Sequence, residues 1–197
     1  MKTIAALFLT AAIAAPALAQ DVTEPRTGLK FAAKSSEMSL LGMGVRTKWM
    51  FKVYAVGLYV SDSALSGSLA VHKGKTTSPE FYKDLIWLDS PKQVVLKFTR
   101  NLGQSKIQEA MREALVGADK AKTDTFVSYF PEVKEGQECV ISWAPGGTLE
   151  VLMAGQAKPA IADKDFAAAV FGIWLRPNPI QDDIKAGLVS RAGGLIK

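Results

Sequence analysis

What most limits how this chain can fold is the order of its strand-like and helix-like patterns. Strand patterns come first and in adjacent pairs, and the clearest helix patterns cluster later. A doubly wound parallel sheet needs the two to alternate. Hairpins followed by helices instead build an antiparallel sheet with helices set to one side, so the expected class is α+β. The strand evidence begins at Leu40. Leu41-Gly42-Met43-Gly44-Val45-Arg46 places glycines where the backbone must bend or be approached closely. Trp49 to Phe51 reads as a strand end, and Lys52-Val53-Tyr54-Ala55-Val56-Gly57-Leu58-Tyr59-Val60 has the β-branched and aromatic make-up of a buried strand. Residues 93–99 read as a further strand, and 139–143 with 149–153 flank Pro145-Gly146-Gly147 as a hairpin.

Ser78-Pro79-Glu80 opens a helix to about Trp87: a capping serine, proline at the first helical position, then an acid in the first turn. Ile107, Ala110, Met111, Ala114 and Leu115 fall on one helical stripe that Gly117 ends. Another helix is expected over 120–129. Phe166, Ala169, Val170, Ile173 and Trp174 repeat the stripe behind a capping Asp163, and a last helix is expected over 181–189. Trp174-Leu175-Arg176-Pro177 reads as the packed end of its helix, with Arg176 offsetting the C-terminal dipole. Trp49, Trp87 and Trp143 are expected in the core or on a sheet face.

The first nineteen residues have the composition of an export signal. Lys2 gives a positive start, the run from Ile4 to Ala15 is apolar apart from Thr10, and Ala17-Leu18-Ala19 offers small residues to a signal peptidase. A dozen apolar residues fall short of the ~20 that a permanent membrane helix needs. The expected organisation is a signal peptide over 1–19, a partly ordered N-terminal arm over 20–39 and one domain over 40–197. The protein would be exported: periplasmic in a Gram-negative bacterium, otherwise secreted. No later segment is apolar for long enough to span a bilayer. The net charge of +5 comes without a run of Lys or Arg interleaved with aromatics, so nothing points to nucleic acid.

Chemistry-bearing residues are sparse. There is one cysteine, Cys139, in an apolar alternating stretch that suggests a buried, inert thiol. There is one histidine, His72, in a polar turn, read as an exposed loop residue. Together they cannot supply a conventional zinc site, and no metal or cofactor is expected. A single histidine could still serve as an axial haem ligand. No phosphate loop, dinucleotide fingerprint or nucleophile elbow occurs. Arg46, after the Gly-x-Gly bend, and Tyr54, within an apolar strand, say more. A buried guanidinium demands an anion or a dense set of acceptors, and a phenol nearby can donate one further hydrogen bond to the same carboxylate. On residues alone, an exposed strand-end arginine and a core tyrosine are the simpler reading, and the ligand-binding one stays open beside it.

The segments 41–46 and 52–59, with Phe171-Gly172-Ile173-Trp174-Leu175 and Pro179, resemble the chalcone isomerase-like superfamily, more narrowly its bacterial exported branch. The resemblance runs from about Leu40 to Val189. It implies a large antiparallel sheet packed on a helical layer with a ligand cleft between them. Arg46 matches the arginine that true chalcone isomerases carry. Tyr54 stands where they have a threonine, Lys106 and Glu113 where they have catalytic Tyr and Asn, and Ile173 where a Thr or Ser helps hold the flavonoid. The plastid fatty-acid-binding members instead keep an Arg and a Tyr at these two places. The resemblance therefore implies a non-catalytic binder of a small apolar carboxylic acid, with Arg46 and Tyr54 on the carboxylate and the Ile107 and Phe166 helices walling the tail. The alternative is an isomerase or intramolecular lyase using Arg46, Tyr54 and Lys106. A third possibility, from haem-binding relatives, would use His72, Tyr54 or Tyr59.

Overall fold

The computed structural model describes residues 20–197, so the expected signal peptide lies outside the described residues. The central feature is an eight-stranded, wholly antiparallel sheet. Its long strands are β4 (Met38–Lys48), β5 (Phe51–Ser61), β6 (Lys92–Phe98), β7 (Glu138–Ala144) and β8 (Thr148–Met153), each beside the next. Short strands finish the edges: β3 (Lys34–Ser35) on β4, and β9 (Gln156–Ala157) and β10 (Ile161–Ala162) on β8. The hairpin read at Pro145-Gly146-Gly147 is the β7–β8 turn, where both glycines take positive φ.

The helices lie on one face. They are α1 (Asp62–Ser66), α2 (Pro79–Trp87), α3 (Gln104–Ala114), α4 (Lys120–Ser128), α5 (Lys164–Leu175), α6 (Asp182–Gly187) and α7 (Ala192–Leu195). The α+β class is as expected. The sequence caps hold: Ser78 and Asp163 accept hydrogen bonds from the backbone N–H of Phe81 and Phe166, and Asp119 caps α4 in the same way through Lys122 N–H. The period of two assigns the sheet faces. Tyr54, Val56, Leu58 and Val60 of β5, with Val94, Leu96 and Phe98 of β6, join the core beneath the helices. Ala55 and Tyr59 point to the other face, with Leu40, Val45 and Val95.

That second face shows what residues 20–39, expected as a partly ordered arm, do in the fold. β1 (Asp21–Thr23) and β2 (Lys30–Ala32) form a hairpin whose buried Phe31 covers the outer cluster. The Glu24 carboxylate closes its turn by accepting from the backbone N–H of Arg26 and Thr27 and from the Thr27 hydroxyl. Three-residue strands are too short for alternation to register in a sequence.

Other expectations need correction. Trp49 and Met50 are the two-residue loop of the β4–β5 hairpin, pointing to solvent rather than ending a strand or lying on a sheet face. Trp87, at the end of α2, is 45% exposed, while Trp143 is buried as expected. The last helix stops at Gly187, and α7 follows after a short turn. His72 is buried rather than exposed: it sits in a single 3-10 turn (Ala70–His72), its ring against Phe81 and its Nε2 2.8 Å from Asp84 Oδ2. Cys139 is buried, and burial pushes its thiol up to about 12, so it stays protonated. Among the described residues no helix is long and apolar enough to cross a membrane.

Candidate functional site

Gly42 and Gly44 explain how a site forms at the end of β4. On this strand 42, 44 and 46 share the helix-side face. A Cβ on Gly42 would sit 2.2 Å from the Gly187 carbonyl oxygen, and one on Gly44 2.9 Å from the Ile184 Cα. Only glycine lets α6 lie flat on the strand. The first residue on that face to regain a side chain is Arg46, and it meets the segment leading into α6. Its Nη1 donates to the Ile180 carbonyl and to Gln181 Oε1, each at 3.0 Å. The same Oε1 accepts from Thr47 N at 3.0 Å.

Arg46 and Tyr54 are direct partners in the β4–β5 register. A bulge follows, because Thr47 pairs with Lys52 and Val53 is left over. Cross-strand partners project to the same side of a sheet, so guanidinium and phenol stand together. Tyr54 is 5% exposed, and its hydroxyl accepts from Trp174 Nε1 at 3.1 Å, from the end of α5. Burial pushes the phenol up, against the smaller pull of the Trp174 N–H and the Arg46 charge, so it stays a hydrogen-bond donor at neutral pH. No acceptor for its own proton lies among the described residues. Arg46 likewise has no carboxylate partner there, and the remaining guanidinium N–H groups are unspent.

Both side chains border a cavity of about 710 Å³ between the β4–β5 hairpin, β6 and α3. Small-molecule sites commonly enclose about 300–1,000 Å³. Val53, Phe98, Ile107, Met111 and Ile180 make its apolar wall; Lys48, Arg100, Lys106 and Arg176 add positive charge, against Glu109 and Glu113. The cavity is therefore greasy within and cationic in balance.

A model of the chalcone isomerase-like family matches residues 19–190. The chain belongs to that family. Among curated proteins it is 26% identical to "Fatty-acid-binding protein 2" of Arabidopsis thaliana over 88% of the chain, and spans 51% of that relative's length. It is 25% identical to "Chalcone isomerase-like protein 1" of Humulus lupulus, covering 77% of the chain and 81% of the relative. The crystal structure of a fatty-acid binding protein of Arabidopsis thaliana superposes with a TM-score of 0.74 at 20% identity, over 90% of this chain and 99% of that one. That likeness establishes the shared fold.

Within this family fold, the sequence-selected residues divide clearly. Arg46 and Tyr54 come together on the cavity wall, and Lys106 lies exposed at its mouth on α3, with Glu113 on the same helix. His72 borders the cavity nowhere; it is spent on Asp84. Tyr59 faces the opposite side of the sheet, donating to the Ala32 carbonyl at 2.9 Å, and burial pushes it up to about 12. Ile173 is core, and so is Phe166, packed on Phe126 at 6.0 Å between ring centroids; the Phe166 helix does not wall the cavity as expected. Trp174 and Arg176 are what the sequence reading passed over. Both lie in the segment 174–177, where a helix-end aromatic and a helix-end cation already had ordinary explanations.

Proposed function

We propose that this protein is an exported, non-catalytic binder of a small apolar carboxylic acid such as a fatty acid. The observation that carries the reading is one half-buried guanidinium without an anionic partner, set directly across the ladder from a phenol with an unspent proton, at the edge of an apolar cavity. A carboxylate there would take charge-assisted hydrogen bonds from Arg46 and a neutral one from Tyr54. Its tail would lie along Val53, Phe98, Ile107 and Met111. The names borne by the Arabidopsis relatives support the same ligand class. Export rests on the residue pattern of positions 1–19.

Displacement of a fluorescent fatty acid by palmitate tests the site. A hydrogen bond to a charged group contributes about 1.5–3 kcal/mol, so Arg46→Ala should weaken binding roughly ten- to hundredfold, with little change in melting temperature. Unaltered affinity in that variant would sink the reading. N-terminal sequencing of the protein recovered outside the cytosol should begin near Gln20.

A further inference from the structure

The tip of the β4–β5 hairpin carries the largest exposed apolar group among the described residues. Trp49 is 87% exposed, Met50 94% and Phe51 60%, in three consecutive positions. The other exposed large apolar side chains, Val71, Trp87, Val116 and Leu152, stand singly. Single exposed hydrophobes are ordinary; a contiguous protruding set is not. The backbone adds a second observation. Trp49 has φ +60°, at the first position of a two-residue hairpin loop. Glycine normally occupies that place, and a bulky side chain there is strained. The chain holds a tryptophan in an unfavourable conformation with its ring in water.

The surroundings are basic. Lys48 and Lys52 flank the tip and are exposed, and the Arg100 guanidinium lies 4.5 Å from the centre of the Phe51 ring. The nearby acids are Glu135, behind Phe51, and Glu109 and Glu113, across the cavity on α3. Lys48, Trp49 and Phe51 also form the cavity rim.

We propose that this hairpin tip docks the protein on the surface of an anionic lipid bilayer. Trp and Phe enter the interface while Lys48, Lys52 and Arg100 meet the headgroup charge. Such docking would bring the cavity mouth against the membrane, where an apolar acid can pass without crossing water. The docking stands on the tip's own exposure and charge. Only its use in ligand transfer rests on the proposed function.

Co-sedimentation with fatty-acid-free vesicles separates the two. The unaltered protein should bind mixed phosphatidylglycerol–phosphatidylcholine vesicles, and less so at high salt or with phosphatidylcholine alone. Trp49→Gly should bind about tenfold more weakly, as expected for losing one interfacial aromatic, yet melt no lower because glycine suits the positive φ. Lys48→Glu with Lys52→Glu should remove the preference for the anionic lipid. Arg46→Ala, expected to lose the acid, should still dock. No vesicle binding by the unaltered protein overturns the proposal, as does undiminished binding by Trp49→Gly. A dimer in solution that Trp49→Gly dissolves would also overturn it, assigning the tip to a second copy of the chain.

Discussion

Trp174 shows how one side chain decides what another can do. Its indole N–H occupies an acceptor site of the Tyr54 hydroxyl and leaves that hydroxyl's proton free. An indole can only donate, so this arrangement cannot reverse. Trp174→Phe would keep the ring packing and lose the orientation. We expect fatty-acid affinity to fall severalfold in a displacement titration, with Tyr54→Phe giving a similar loss and the double variant little more than either. Full additivity would show that the two act separately. Arg46 and Tyr54 stand out in the sequence as a cation and a hydroxyl beside apolar strand patterns, but a strand-end arginine and a core tyrosine explain them equally simply, and it is the family resemblance that pairs them on one ligand. Trp174 does not stand out, because its place on an apolar helical stripe already explains a tryptophan, and the stripe says nothing of where an N–H points. Lys92 escaped notice for a related reason: it stands at the first position of its strand, where a lysine usually reaches water. It is instead 1% exposed, donating to the Leu85, Ile86 and Leu88 carbonyls at the end of α2 and lying 3.7 Å from the Trp143 ring centre. Burial pushes it down to about 7 from its ordinary 10.5. Between those values the unfolded chain holds more protons, so this group's contribution to stability rises with pH through that window and is lost as pH falls through 7. Lys92→Met should be less stable by about 1–3 kcal/mol, from stranded carbonyls. Urea melts should show the gap to the unaltered protein widening from pH 7 toward 10; a constant gap would exclude the linkage.

Elements meet here by backbone contact, and β4 carries the arrangement. Its bulge at Leu41 breaks the alternation: Leu40 joins the outer cluster, while Leu41 and Gly42 follow one another on the helical side. Arg191, just before α7, answers both freed carbonyls: its N–H donates to Leu41 at 2.9 Å and its Nε to Leu40 at 3.1 Å. Gly42 and Gly187 then let strand and helix approach until either Cβ would strike the other's backbone. The glycine pattern was readable as a place of close approach. Which helix approaches was not, because α6 lies some 140 residues further along a chain whose separation carries no spatial information. Gly42→Ala must therefore move α6, and overpacking of this sort costs typically ~1–3 kcal/mol. Since Gln181 and Ile180 hold the Arg46 guanidinium at the start of α6, the shift should weaken fatty-acid binding as well as lower the melting temperature. Loss of stability with unchanged affinity would show that the guanidinium needs no support from that helix.

At the scale of the whole molecule, the sheet must be covered twice, and the two covers do different work. The helical layer builds the cavity, whereas the hairpin of β1 and β2 only shields the far face. The strand pattern foretold one cover through the clustered helices. The other was hidden in two strands of three residues, although the unbroken apolar run of β5, with no polar face, already required something on both sides. Phe31 is the anchor of that second cover. Its ring lies so close to Gly57 that a Cβ there would fall 2.7 Å from it, and it closes over Leu40, Ala55 and Val95. Phe31→Ala should remove about 3–5 kcal/mol of stability, measurable by urea denaturation, and should raise the binding of a dye that reports exposed apolar surface. The cavity faces the other way. In conditions where the variant remains folded, its affinity for a fatty acid should match that of the unaltered protein, because the β4–β5 ladder carrying Arg46 and Tyr54 is clamped from the helical side by Gln181 and Trp174. A coupled loss of affinity would instead mean that the sheet transmits strain between its faces, and that the N-terminal hairpin is part of the binding apparatus rather than its lining.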